Sequence, residues 1–327
     1  MKKILILFLS ISLCCMLISC KADTTNLNIS SKDNQVDSSS TSSQMESSSS
    51  EVSSTTSSQA PSSNKSSSTK SAPTTATSNN SKNATSAVSS QPVQTVRVTF
   101  PEGTTMAKAF DTLEAKGVAK QKELFQTAGS VDFSAYSVVN EIKPASTRCF
   151  LLEGYLFPST YDFYVNEKPE SVIRKMLNVS NKRITQAYKD RAAQLGYTMD
   201  EMITLASIIQ KEAHVTKEFT RVSSVFHNRL KAGMKLQSDV TIKYVEGAIK
   251  PYIDGDTNRF NSYYNTYKCK GLPAGPICNP GISAIEAALN PESTNYLYFV
   301  NDTAGNYYYA ATYEEHQQNC QTAGVTP

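Results

Sequence analysis

Tryptophan is missing from the 327 residues, histidine occurs only three times, and no two cysteines form a Cys-x-x-Cys pair. His214, His227 and His316 are scattered, so they offer no ligand cluster, and a zinc site is not indicated. Each is read as a surface or packing residue. Charge is also scarce: Asp, Glu, Lys and Arg make up 19% of the chain, and the formal net charge is +3. Within 93–327, 25 Lys and Arg face 24 Asp and Glu, so no broad basic field exists to grip nucleic acid. Residues 24–92 contain no Phe or Tyr but hold 26 Ser and 10 Thr in 69 positions. Such a stretch cannot bury enough apolar surface to fold. Its few charges balance, Lys32, Lys65, Lys70 and Lys82 against Asp33, Asp37, Glu46 and Glu51. It is expected to be a disordered linker, 21–92, with a typical span on the order of 45 Å.

The first twenty residues read as an export signal. Met1-Lys2-Lys3 supplies positive charge, and Ile4 to Ile18 is an almost unbroken apolar run, shorter than the roughly 20 residues of a spanning helix. The run ends in Leu17-Ile18-Ser19-Cys20, which resembles a bacterial lipobox. Cys20 would then be the lipidated N-terminus of the mature chain; the alternative is an uncleaved anchor with an incidental cysteine. Either way the remainder is expected outside the cytoplasm, held at the outer face of the membrane. Nucleotide cofactors are scarce there and cell-wall polymer is abundant. Of the four cysteines beyond the leader, Cys149, Cys269, Cys278 and Cys320, the pair Cys269–Cys278 could close a short loop in an exported chain. Three pairings are open, and a reducing host would leave all four free.

Residues 93–147 predict a small first subdomain. Val96 to Phe100 alternates with period two, and Pro101-Glu102-Gly103 makes a turn. Met106, Phe110 and Leu113 then share a helical face that stops at Gly117, and a second short helix follows over Lys120–Thr127. The pattern resembles the LysM-like module of exported wall proteins; a packing subdomain without glycan contact fits it equally.

Residues 148–327 carry the chemistry. Glu153 lies in an otherwise apolar and aromatic run, Leu151 to Pro158, where a carboxylate is either paired or functional. One helix is expected from Pro169 to Leu195. Another starts at the capping box Thr198-Met199-Asp200-Glu201. On it Leu205, Ile208, Ile209 and Glu212 stand at i, i+3, i+4 and i+7, which puts Glu212 on the core-facing stripe and Lys211 and Gln210 off it. A carboxyl among Ile and Leu has a raised pKa and keeps a proton near neutrality, as a general acid requires. The alternative is a buried ion pair with Arg221 or Arg229. A third helix is expected over Lys217–Ala232, then a Met234–Asp239 turn leading into Val240–Tyr244. Tyr263–Tyr267, Gly271–Ile277 and Asn279-Pro280-Gly281 have the character of a sugar-binding cleft, with flat rings for pyranose faces and amides for hydroxyls; ordinary loops with packed tyrosines are the alternative. A helix is expected near Ala284–Leu289, then a buried strand Tyr296–Val300 paired with Tyr307–Tyr309.

In order, Leu-Glu-Gly-Tyr-Leu-Phe-Pro from Leu152, Leu-Ala-Ser-Ile-Ile-Gln-Lys-Glu ending at Glu212, Val-Phe-His-Asn-Arg-Leu from Val225, Met-Lys-Leu-Gln-Ser-Asp from Met234, Tyr-Asn-Thr-Tyr from Tyr264, Gly-Leu-Pro from Gly271, Pro-Gly at Pro280 and Tyr-Leu-Tyr-Phe-Val from Tyr296 resemble the endolytic murein transglycosylase (YceG-like) family over about 96–320. The resemblance implies an α+β chain with a LysM-like subdomain before a mixed α/β catalytic domain. The implied activity is a membrane-held lyase that cuts peptidoglycan strands internally, between N-acetylmuramic acid and N-acetylglucosamine, leaving a 1,6-anhydro end. It places the essential glutamate on Glu212 and supporting polar groups on Glu153, Gln237, Asp239, Tyr264, Asn265 and Thr266. Neither metal nor cofactor is implied, and the expected partners are glycan strands, the membrane through a lipid anchor and, as further candidates, wall synthases. Three departures stand out: Ser159 where many members have Asp, Gln210 where many have Glu, and a lipobox in place of a spanning helix. Glu153 is the candidate for holding the proton on Glu212 through like-charge proximity. A hydrolytic muramidase, with Glu153 or Asp239 activating water, and a wall-binding lipoprotein without activity are the competing readings.

Overall fold

The computed structural model describes residues 94–143 and 146–326, within the compact unit Asn83–Pro327. The export signal with Cys20 and the linker expected over 21–92 lie outside the described residues.

β1 (Thr95–Thr99) buries Val98 and leads through the Pro101–Gly103 turn to α1 (Met106–Ala115). Thr105 caps α1, its side chain accepting from the Lys108 N–H at 3.2 Å. Met106, Phe110 and Leu113 are buried on one face, and Gly117 adopts φ +71°, the left-handed stop expected there. α2 (Gln121–Ser130) runs three residues past its expected end, through Gly129. Its packing on the helix that follows β2 outweighs the roughly 1 kcal/mol a helical glycine costs. β1 finds its partner in β2 (Thr160–Tyr164), antiparallel, with Val98 opposite Tyr161 and Thr95 opposite Tyr164. The 93–147 segment therefore draws its second strand from beyond residue 147.

α3 (Pro169–Arg183) and α4 (Gln186–Gln194) replace the single helix expected over 169–195. The chain leaves helical geometry at Ile184, φ −90° and ψ 92°, and buries that side chain, and Thr185 starts α4 in an extended conformation. No Pro or Gly marks the break, so periodicity alone runs through it.

α5 (Met199–Glu212) is the central element. The capping box forms as expected: the Thr198 side chain accepts from the Glu201 N–H, and the Glu201 carboxylate accepts from the Thr198 N–H. Every residue from Met202 to Ile209 is buried, so the helix is enclosed on all sides. It packs on α4, on α6 (Phe219–Lys231), on α7 (Asp239–Tyr244) and most extensively on α9 (Ile282–Leu289), whose alanines permit close approach. α7 continues through a π turn, Val245–Ile249, and α8 (Arg259–Tyr264) packs against it.

The hairpin of β3 (Tyr298–Asn301) and β4 (Tyr307–Ala310) pairs antiparallel as expected, Phe299 opposite Tyr309. β3 is half-buried, not buried, because it borders the cavity described below. α10 (Tyr313–Ala323) opens with a second capping box, Thr312 with Glu315, and lies on the hairpin. Among the described residues no helix is long and apolar enough to cross a membrane.

All four cysteines in these segments are free thiols, so the 269–278 loop is not closed by a disulfide. Cys278 is fully buried and donates to the Ser207 carbonyl at 3.4 Å.

Candidate active site

The helical stripe of Leu205, Ile208 and Ile209 is fully buried, and Glu212 follows it at the last residue of α5, where the core opens. The hairpin holds that helix end: the Tyr307 hydroxyl accepts from the His214 N–H at 2.9 Å and faces the Glu212 carbonyl at 3.5 Å. Glu212 Oε1 accepts from Ser238 Oγ at 2.5 Å. Ser238 is fixed in turn: its N–H donates to Thr266 Oγ1 at 2.8 Å, and its carbonyl accepts from Thr241 Oγ1 at 2.7 Å. Thr266, Ser238 and Glu212 thus form a chain of contacts that leaves the carboxyl little freedom to turn.

Burial raises the Glu212 pKa above the ordinary carboxyl value. The Ser238 hydrogen bond opposes the shift, the like charge of Asp239 adds to it, and Lys243 and His214 oppose it. The carbonyl end of α5 works in the same direction as burial, since a negative charge is disfavoured there. No arginine clamps this carboxyl. Arg221 pairs with Glu292 at 3.1 Å, and Arg229 donates to the carbonyls of Leu297 at 2.6 Å and Leu236 at 2.8 Å.

Glu212 lines a cavity of about 690 Å³. Gln237, Asp239 and Lys243 border it from the α7 side, Tyr298 and Asn301 from β3, and His316 from α10. Of the residues expected to support the site, Gln237 and Asp239 line this cavity. Gln237 takes a left-handed φ of +49°, rare for a side-chain-bearing residue, held by its N–H bond to the Thr266 carbonyl at 3.2 Å.

The other residues expected to support the site, Glu153, Tyr264, Asn265 and Thr266, are not among those that line the cavity. Glu153 is fully buried away from the cavity: it accepts from the Met106 N–H at 2.9 Å and the Tyr244 hydroxyl at 3.1 Å, anchoring the start of α1. The like charge that acts on Glu212 belongs to Asp239. Tyr264 and Thr266 are fully buried behind the cavity wall, Tyr264 against Tyr244 at 5.3 Å between ring centroids and Thr266 under Ser238. Asn265 holds a turn, accepting from the Tyr267 N–H at 2.9 Å. The Gly275–Gly281 segment is a buried wedge, with no role in a sugar cleft: the Ile277 N–H donates to Ser207 of α5 at 3.0 Å. Of the three histidines read as surface or packing residues, His214 and His316 line the cavity, and His227 packs edge-on to Tyr197.

Sequence reasoning passed over Ser238, Tyr267 and the cavity face of α10. Ser238 had a signal: Ser-Asp before Val240 and Tyr244 is a helix start, which would have placed the hydroxyl at a helix entry. Tyr267, whose hydroxyl donates to Asp239 Oδ1 at 2.8 Å, was hidden among neighbouring tyrosines. The two departures from the family pattern that fall in the described residues, Gln210 and Ser159, are not among the residues that line the cavity. Gln210 accepts from the Gly281 N–H at 2.9 Å through an amide oxygen, as a carboxylate oxygen would, and the Ser159 carbonyl accepts from the Phe100 N–H at 2.9 Å next to β2. Among the described residues no three His, Cys, Asp or Glu stand close enough together to hold a metal ion.

The chain belongs to the YceG-like family, whose model matches residues 52–322. It is 39% identical over 168 residues, 51% of its length, to a protein of Bacillus subtilis named endolytic murein transglycosylase. It is 33% identical over 242 residues, 68% of its length, to a protein of the same name from Streptococcus pneumoniae. It spans under half the length of these relatives, 46% and 43%. A crystal structure of a YceG-like protein from Listeria monocytogenes superposes with a TM-score of 0.58 at 34% identity, covering 68% of this chain and 75% of that one.

Proposed function

We propose that this protein is an endolytic lytic transglycosylase of peptidoglycan, with Glu212 as its single general acid and base. The observation that carries the reading is a carboxyl of raised proton affinity, in no salt bridge among the described residues and held by Ser238 at the edge of a polar cavity. The names of the relatives support the substrate class.

Protonated Glu212 donates to the oxygen joining C1 of N-acetylmuramic acid to the next N-acetylglucosamine. The C1–O bond breaks, and positive charge develops at C1. The muramic C6 hydroxyl attacks C1, its proton returns to the Glu212 carboxylate, and a 1,6-anhydro ring closes without consuming water. Since the attacking hydroxyl is tethered to the ring, one carboxyl serves both steps. The reading also carries the extracytoplasmic location, with Cys20 as the lipidated anchor, the Ser/Thr-rich segment as its tether and wall synthases as candidate partners. It further takes the βααβ order of β1, α1, α2 and β2 as a LysM-like glycan-facing module.

Asp239 favours a second reading, because it gives the cavity another carboxylate beside Glu212. With Asp239 activating water the enzyme would be a muramidase. Mass spectrometry of digested murein separates the two: anhydro ends are lighter than hydrolysed ends by one water. Anhydro products from the native protein, and their disappearance in Glu212→Gln, are expected. Full glycan-cutting activity in that variant would remove Glu212 from the mechanism.

A further inference from the structure

Arg229 is a cation set into a core face. α6 buries Phe219, Val222, Val225 and Phe226, and Arg229 follows one turn later on the same side, 8% exposed. Buried charges are ordinarily neutralised by an ion of opposite sign. Arg148, equally buried, meets Asp200 at 2.8 Å, and the more exposed Arg221 meets Glu292. No carboxylate among the described residues lies within salt-bridge distance of Arg229; its nearest charged neighbours act through space only.

Its polar contacts orient the group without neutralising it. Nε donates to the Leu297 carbonyl, and Nη1 to the Leu236 carbonyl and, at 3.5 Å, to Gln237 Oε1. The Tyr298 ring lies 5.2 Å from the guanidinium carbon, a cation–π contact that fixes its plane. Nη2 has no acceptor. Among the described residues only Ser223 Oγ is sealed from solvent without a partner, so Nη2 opens onto solvent. The space that Arg229 borders is the Glu212 cavity. Three basic side chains, Lys211, Arg229 and Lys243, line that cavity with two carboxyls, Glu212, held by Ser238, and Asp239, already engaged by Tyr267. The local balance calls for an anion.

We propose that Arg229, on its Tyr298 platform, is the carboxylate-binding subsite of this cavity and receives an acidic group carried by the glycan substrate. The proposal rests on the peptidoglycan reading above. Two parts of such a strand supply the chemistry: the lactyl carboxylate of a muramic residue without its peptide, or a carboxylate of the peptide stem. Either would be gripped by a charge-assisted hydrogen bond from Nη2.

The test uses the Glu212→Gln protein, which holds glycan without cutting it, and calorimetry with three tetrasaccharides of one sugar sequence. The muramic lactyl group is free in the first, an N-methylamide in the second and joined to a stem peptide in the third. A preference of about tenfold over the amide is expected for the form that carries the recognised carboxylate. Tight binding of the first form assigns the lactyl group, and tight binding of the third alone assigns the stem. In Glu212→Gln with Arg229→Gln, checked for folding by circular dichroism, the preference should vanish. The ligand comparison needs no Arg229 variant, so it decides the matter even if that variant misfolds. Equal binding of all three forms overturns the subsite and leaves the glycan reading intact. A preference that survives Arg229→Gln in a folded protein overturns it too, and failure of every form to bind removes both.

Discussion

Burial raises the proton affinity of Glu153 and of Glu212 alike, yet only Glu212 reaches the cavity. Glu153 is pushed up to about 7 by burial, against the hydrogen bonds from Met106 and Tyr244 that favour its ionised form. Its folded pKa exceeds the ordinary 4.5, so the folded state binds a proton more tightly than the unfolded chain. The resulting stability is complete below about pH 4.5, declines as pH rises and is gone above about 7. Glu153→Gln keeps an oxygen for the Met106 N–H and loses the charge. Relative to the native protein it should gain stability between pH 5 and pH 8, by on the order of 3 kcal/mol. Thermal melts at the two pH values check this, and identical pH slopes for both proteins would contradict it. Glu212 is tested through activity, which in the proposed mechanism requires the protonated acid and so falls on the alkaline side. Asp239→Asn removes a like charge and should move that alkaline limb to lower pH. Ser238→Ala removes a donor to the ionised form and should move it to higher pH. The position of the limb in kcat/KM profiles on purified murein is the readout, whatever the height, and a shift of both variants in one direction would refute the assignment.

At the level of elements, α5 matters because its last residue is Glu212, so whatever fixes its length fixes the acid. The capping box at Thr198 sets one end and the Tyr307 hydroxyl the other. Thr198→Ala should cost about 1 kcal/mol, read as a lower urea midpoint with unchanged slope. This helix start was legible because a capping box is a local chemical signal. The division of α3 from α4 was not, since Ile184 leaves the helix for a buried site that only the folded chain supplies. Tyr264 and Thr266 follow the same logic. Their polar groups suggested a sugar surface, but tyrosine and threonine serve equally as buried residues with their hydroxyls hydrogen-bonded, Tyr264 to the Cys149 N–H and Thr266 to Ser238 and Thr241, and here they sit behind the wall.

For the whole molecule, one side chain ties distant segments together. Asn279 exchanges backbone hydrogen bonds with Gly103 and Thr104, its Nδ2 donates to the Thr104 carbonyl at 2.9 Å, and its Oδ1 accepts from the Leu156 N–H at 2.9 Å. It joins the turn after β1, the segment carrying Glu153 and the wedge before α9. Asn279→Leu strands the buried Leu156 N–H, while the Thr104 carbonyl keeps its bond from the residue 279 N–H, and should cost on the order of 2 kcal/mol in urea unfolding, whereas a change under about 0.5 kcal/mol would show that the segments are held otherwise. Nearby, Gly154 has φ +90°, and a Cβ there would meet Pro276 at 2.6 Å, so backbone conformation and close approach both require glycine.

Period, caps and the spacing of apolar residues are local properties, and they suffice for the core helices, the terminal hairpin and the placing of Glu212 on a buried stripe. What surrounds that carboxyl is not local. Arg229, the adjacent Ser238 and Asp239, Tyr298 and His316 come from four stretches of chain, and which of them face one cavity depends on how α6, α7, β3 and α10 pack around the end of α5. Burial and charge act through space, so the division of labour between Glu153 and Glu212 was decided only when the chain had folded.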